Sequence, residues 1–156
     1  MENFFKVYPK IAEELSSITG NEYPFVEPYA LEDAQCAIVA LNSSAGTIRS
    51  VVKRLRAKGL KVGMLKIKLF RPFPYEDVAK ALSPVPKVAV LDRSLSFGAN
   101  APLFSEIKNS VPKNQLFSYV YGLGGRELLE SHVEELFKDL LSNKEIIGQN
   151  YLGLKE

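Results

Sequence analysis

From Cys36 onward the chain repeats one pattern: a short apolar run of strand length, then an apolar period of three to four residues. The runs are CAIVAL at 36–41, KVGMLKIKLF at 61–70, KVAVL at 87–91 and QLFSYVYGL at 115–123. The first is continuously apolar, which suits a strand buried on both faces. After it, Ile48, Val51, Val52 and Leu55 line one side of a helix, with Ser43 or Ser44 to cap it and Lys58 and Gly59 to end it. The second run turns through RPFPYEDVAKAL (71–82), where Pro74 is tolerated in a first helical turn and Glu76 and Asp77 suit its positive end. The third leads into NAPLFSEIKNSV (100–111), which turns Leu103, Phe104, Ile107 and Val111 inward. The fourth precedes SHVEELFKDLLSN (131–143), where Val133, Leu136, Phe137, Leu140 and Leu141 form one face and Ser131 and Glu134 have capping-box spacing. This β-α-β-α-β-α-β-α alternation predicts an α/β fold: a largely parallel sheet, helices on both faces and right-handed crossovers.

Ahead of that core, Phe4, Tyr8, Ile11, Leu15 and Ile18 recur on one side of a helix at 3–18, which Gly20 can stop. The next stretch, NEYPFVEPYALEDA (21–34), has two prolines and no sustained period, so it reads as an extended linker. The chain thus divides into a helix and interdomain linker at 1–35 and an α/β domain at 36–156. A helix and linker in front of the core are expected to connect to something upstream.

The 156 residues, 46% of them hydrophobic, suffice for one domain with a substantial core and no disulfide. A net charge of +2 with acids and bases intermixed offers no concentrated basic face for nucleic acid. No apolar stretch approaches the roughly 20 residues that span a bilayer, and the N-terminus lacks the form of a secretion signal. No membrane association and a cytoplasmic location are therefore expected. The single cysteine, Cys36, excludes an internal disulfide and a cysteine-bound iron–sulfur or zinc centre within the chain. It begins a buried strand, where inert packing is the reading. The single histidine, His132, excludes a His-pair metal motif and falls at a surface or capping position. There is no nucleophile–base pair for hydrolysis. Neither catalytic residues nor metal ligands are expected in this chain.

The turns after the four strands carry the unusual residues, and a parallel sheet sets all four on one edge, where ligands and partners meet such folds. In the first, Ser43, Ser44, Gly46 and Thr47 suit an anion held at a helix N-terminus, or simply a well-made strand-to-helix turn. The second presents Arg71 and Phe73 on a proline-stiffened turn, which suits a protein interface. In the third, Asp92 and Arg93 end an apolar strand, where charge must be paired or solvated, and Ser94, Phe97 and Gly98 follow. They fit substrate binding, partner orientation or pairing at the sheet rim. The fourth, with Gly124, Gly125 and Arg126, is an incomplete dinucleotide fingerprint and reads as a tight turn.

Taken in order, NSSAGT, VGMLKIKLFRPFP, VAVLDRSLSFGANAPLF and YGLGGR resemble the C-terminal region of the α subunit of pyruvate:ferredoxin oxidoreductase, in the 2-oxoacid:ferredoxin oxidoreductase family. The resemblance covers almost the whole chain, and EPYALEDA in the linker shares it. The DRS-x-SFG form looks more like the pyruvate branch than the 2-oxoglutarate branch. The resemblance implies a domain like the C-terminal domain of transketolase: a three-layer α/β/α sandwich with a mostly parallel sheet, often with one antiparallel edge strand. It also implies an assembly that decarboxylates pyruvate oxidatively to acetyl-CoA, with thiamine diphosphate and magnesium, iron–sulfur clusters, coenzyme A as acyl acceptor and ferredoxin as electron acceptor. It places those cofactors elsewhere, so that none is bound by this chain. Its partners would be the other domain of the α subunit and the β, γ and δ subunits, with this chain as a non-catalytic assembly domain. Asn42, Asn100 and Ala101 stand where that family often has glycine. The alternative is a free-standing α/β module that binds a phosphorylated or coenzyme-type ligand at the carboxyl edge, at Ser44–Thr47 and Gly122–Arg126.

Overall fold

In the computed structural model, which describes residues 2–142 and 145–154, the four apolar runs form the centre of one sheet. In chain order the elements are α1 (Glu2–Thr19), β1 (Val26–Tyr29), β2 (Cys36–Leu41), α2 (Ser44–Ala57), β3 (Val62–Ile67), α3 (Tyr75–Leu82), β4 (Lys87–Asp92), α4 (Pro102–Ser110), β5 (Gln115–Tyr121), α5 (Glu130–Leu141) and β6 (Gln149–Leu152). The strand order is β1-β3-β2-β4-β5-β6. All neighbouring pairs are parallel except β1 with β3, where Val26 faces Ile67 and Tyr29 faces Met64. The segment read as an extended linker therefore supplies the antiparallel edge strand. Pro28 within β1 is compatible with an edge, whose outer side needs no backbone donor.

Alternation along the strands divides the core between two faces. Ile38, Met64, Ala89, Leu91, Phe117, Tyr119 and Tyr121 pack against Ile48, Val51, Val52 and Leu55 of α2 and Val133, Leu136, Phe137 and Leu140 of α5. Ala37, Val39, Leu65, Ile67, Val88 and Val90 pack against Val78 and Leu82 of α3 and Leu103 and Ile107 of α4. The result is three layers, α2 and α5 on one side and α3 and α4 on the other. Each fully buried Leu, Ile or Phe contributes on the order of 1.5–3 kcal/mol.

The crossovers do not all share one hand. α2 and α5 lie on the same face, yet β2-α2-β3 and β5-α5-β6 progress in opposite directions across the sheet, so their hands are opposite. The helices α3 and α4, on the other face, give their crossovers the same hand as β2-α2-β3. Right-handed crossovers throughout were expected, and the last connection departs from that rule. Its physical reason is burial: without α5 on that face, Phe117, Tyr119 and Tyr121 would lose their cover.

Three local expectations change. Ser43 precedes α2 in helical geometry and makes no capping hydrogen bond through its side chain, while the Ser44 Oγ donates to Leu41 O at 2.7 Å. In α5, which begins at Glu130, the Ser131–Glu134 capping box does not form; instead Leu129 N–H donates to His132 Nδ1 at 3.3 Å. Helix α1 ends before Gly20, as its period predicts, and its aromatic residues Phe4, Phe5 and Tyr8 pack around the ring of Phe25. Ile11, Leu15 and Ile18 on the same helix remain exposed.

Candidate functional site

Strand β2 lies between β3 and β4, so the chain leaves it first toward one neighbour and later returns on its other side. Such a reversal opens a crevice at the carboxyl ends of the two strands. A cleft of about 430 Å³ lies there, lined by Ser43, Ser44, Thr47, Arg93, Tyr121, Gly125, Arg126, Glu127 and Leu128. Residues from three turns thus meet: those after β2, β4 and β5.

Each turn reaches the cleft for a local reason. Asn42 adopts φ +56°, a left-handed conformation that Asn tolerates better than most residues, and this bends the chain out of β2 into α2. Tyr121, the last residue of β5, donates its hydroxyl to Ser44 Oγ at 2.9 Å and fixes that serine. Gly122, Gly124 and Gly125 all take positive φ, at 77°, 65° and 76°. At Gly122 a Cβ would lie 2.8 Å from Arg93 Nε, so the missing side chain lets that guanidinium settle on the turn. Arg93 also lies over the Tyr121 ring, 5.7 Å from its centroid. Arg126 donates to Leu123 O at 3.2 Å and sits 3.5 Å from the corresponding position on Gly124.

The other predicted residues lie elsewhere. Asp92 is buried, and its two oxygens accept Ser94 N–H at 2.9 Å and Leu103 N–H at 2.8 Å. It holds the following loop against the start of α4 and does not face the cleft. Ser94, Phe97 and Gly98 belong to that loop, where Gly98 at φ +72° completes a turn closed by Ala99 N–H on Ser96 O. Phe97 stands at its tip with a relative exposure of 105%. Gly46 faces a separate hollow beside Tyr29, Arg49 and Lys66.

The reading of Phe73 as a presented side chain is corrected, while Arg71 is exposed. Phe73 is 5% exposed and packs edge-on against Phe70 and Tyr75. Its apolar ring fills the space between α3 and the sheet, which outweighs any gain from display. Arg71 pairs with Glu106 of α4 at 2.9 Å, and the Tyr75 hydroxyl donates to the same carboxylate. Sequence reasoning missed Tyr121 and Glu127. Tyr121 had a usable signal, as the last of three aromatics alternating with Phe117 and Tyr119 toward one face.

Burial pushes the Cys36 thiol up to about 12, against a smaller opposing effect of Lys87. A neutral thiol with no exposure does not fit a cluster ligand, which must be a thiolate, and cluster ligation takes several of them. Among the described residues no group of three or more His, Cys, Asp and Glu could hold a metal ion, and no helix is long and apolar enough to cross a membrane.

Fold and cleft together define a three-layer α/β/α domain with a basic crevice at its topological switch point. Residues 34–133 match the family model described as pyruvate:ferredoxin oxidoreductase core domain II, and the chain belongs to that family. It is 47% identical over 161 residues to pyruvate synthase subunit PorA of Thermotoga maritima, covering 100% of this chain and 41% of that protein. The chain spans about two fifths of the length of the curated relatives it matches. Two solved structures share the fold. A 2-oxoglutarate:ferredoxin oxidoreductase from Magnetococcus marinus superposes with a TM-score of 0.61 at 23% identity, over 82% of this chain and 21% of that one. A split-gene transketolase, as an inactive β4 tetramer, gives 0.58 at 15%, over 80% and 44%. The transketolase-like architecture is therefore present.

Proposed function

We propose that this chain works as a non-catalytic assembly domain within the α subunit of a pyruvate (2-oxoacid):ferredoxin oxidoreductase. It supports thiamine-dependent oxidative decarboxylation of pyruvate to acetyl-CoA, with electrons passed to ferredoxin. The observation that carries this reading is Phe97: a fully exposed aromatic on a loop whose base is locked by the two hydrogen bonds of Asp92. An exposed aromatic on a pre-ordered loop suits an interface anchor, because less backbone freedom remains to be lost on binding. The likeness to PorA supplies the identity of the assembly. In this reading thiamine diphosphate, magnesium and the iron–sulfur clusters are held by other domains and subunits, in the cytoplasm. The carboxyl-edge turns, with Arg93, Ser94, Phe97 and Gly98 foremost, face the rest of the α subunit or the β, γ and δ subunits.

The test mixes the purified chain with the remaining polypeptides of such an oxidoreductase. Co-elution and restored pyruvate-dependent reduction of ferredoxin are expected. Separate elution with no change in ferredoxin reduction overturns the proposal.

A further inference from the structure

We propose that the cleft between Ser43, Thr47, Arg93 and Arg126 binds the phosphate group of a small phosphorylated ligand. The charge balance of the lining is the starting point. Two guanidiniums, Arg93 and Arg126, face the cleft against one carboxylate, Glu127, and no ion pair joins either arginine to an acid among the described residues. Both arginines pack on the same glycine turn, within 3.5 Å of where side chains at Gly122 and Gly124 would begin. Both guanidiniums are exposed, so solvent screens their mutual repulsion and leaves their free donors available to an anion.

The remaining donors suit the same ligand. Ser43 and Thr47 line the cleft, and neither side chain has a hydrogen-bond partner among the described residues. They lie at the N-terminal turn of the 14-residue helix α2, whose first turn contains no acidic residue. Gly125 contributes backbone with open space above it. Two planar guanidiniums, two hydroxyls and a backbone turn exceed what the two oxygens of a carboxylate can use. The three terminal oxygens of a phosphate can accept from all of them. The volume, about 430 Å³, lies in the range of small-ligand sites. The Tyr121 ring is buried beneath Arg93 and offers no stacking surface, so recognition is of the phosphate rather than of an attached base.

The site shares Arg93 with the proposed assembly edge but not Phe97, so failure of phosphate binding and failure of assembly are read separately. Its test is an NMR titration of the isotopically labelled chain with pyrophosphate, AMP, adenosine and glutarate. Pyrophosphate and AMP are expected to shift the amides of Ser43, Thr47, Gly125 and Arg126, and adenosine is expected to leave them unmoved. Arg93→Ala and Arg126→Ala should each weaken pyrophosphate binding by at least about tenfold, since each removes charged hydrogen bonds. Retained spectral dispersion confirms that the variants fold. Arg93→Lys, which keeps the charge and loses the planar fork, should bind between the two extremes. Three results overturn the proposal: no shifts with millimolar pyrophosphate, binding undiminished in both alanine variants, or glutarate binding as tightly as pyrophosphate. The last would assign the cleft to an acidic side chain of a neighbouring polypeptide.

Discussion

The Asp92 carboxylate accepts the backbone N–H of Leu103 at 2.8 Å, from eleven positions further along the chain. Its other oxygen takes Ser94 N–H at 2.9 Å. One buried acid at a strand end thus closes the loop that carries Phe97 and satisfies a free donor in the first turn of α4. Its role is to hold this loop in place.

Asp92→Asn replaces one accepting oxygen with an NH₂ group, and one of the two amide donors then faces a donor. Leaving a buried donor unsatisfied costs about 1–3 kcal/mol. Urea denaturation should show a midpoint lowered by that free energy divided by the slope, with the slope unchanged. An unaltered midpoint would mean that the carboxylate is not what anchors the loop.

Gly63 is the second residue of β3, and a Cβ there would stand 2.4 Å from Ala30 O and 2.8 Å from Leu31 Cδ2. The carbonyl cannot give way easily. Arg56 donates to it at 2.8 Å and also to Val62 O at 2.7 Å, while its guanidinium pairs with Asp33 at 2.6 Å. Gly63→Ala is therefore expected to destabilise the domain by about 1–3 kcal/mol, the usual cost of overpacking. Thermal unfolding would reveal it as a lowered Tm.

These two residues show how far the sequence could be read. The β-α alternation from residue 36 was legible because each strand is a dense apolar run and each helix a clear 3.6-residue stripe. Strand β1 was not, since its four residues include Pro28 and its pairing with β3 is non-local. Strand β6, QNYL, is short, polar and half-exposed, and only its partner β5 makes it a strand. At the site, the four turns were found together because parallel strands must end on one edge. Which side chains face the cleft depends on backbone signs such as Asn42 at φ +56°, and on competition for partners. Asp92 spends both oxygens on backbone, and Phe73 goes to the core.

Burial makes the Cys36 thiol a poor nucleophile, its pKa pushed up to about 12. At pH 8 a disulfide reagent should leave the folded chain unmodified and react fully in guanidinium chloride. Rapid modification under native conditions would show that β2 opens locally, because only the thiolate reacts.

Arg54 of α2 pairs with Glu130 at 2.6 Å and Glu134 at 2.8 Å, joining α2 to α5. Hydrogen bonds from its guanidinium hold both carboxyls below the usual range. A carboxyl depressed in the folded state adds stability above its unfolded pKa, about 4.3, and that stability is lost as pH falls through the folded value. Arg54→Ala should therefore lower the urea midpoint at pH 7 and lose most of that effect in acid, at a pH that protonates both carboxyls in the folded chain. A deficit of equal size at both pH values would assign the loss to packing of the arginine stem instead.

Phe97 separates stability from association. Its ring touches little of its own domain, at 105% exposure, so Phe97→Ser should change the unfolding free energy by less than about 0.5 kcal/mol. The neighbouring Leu95, at 44%, extends the apolar surface of the loop. If this tip inserts into a neighbouring domain or subunit, removing the ring should weaken co-assembly by about tenfold or more, as for an aromatic anchor. The measurement pairs a urea titration of the variant with its affinity for the remaining oxidoreductase polypeptides. Normal stability with impaired assembly is the expected result. Normal stability with normal assembly would remove Phe97 from the interface and leave the cleft beside Arg93 as the functional part of this edge.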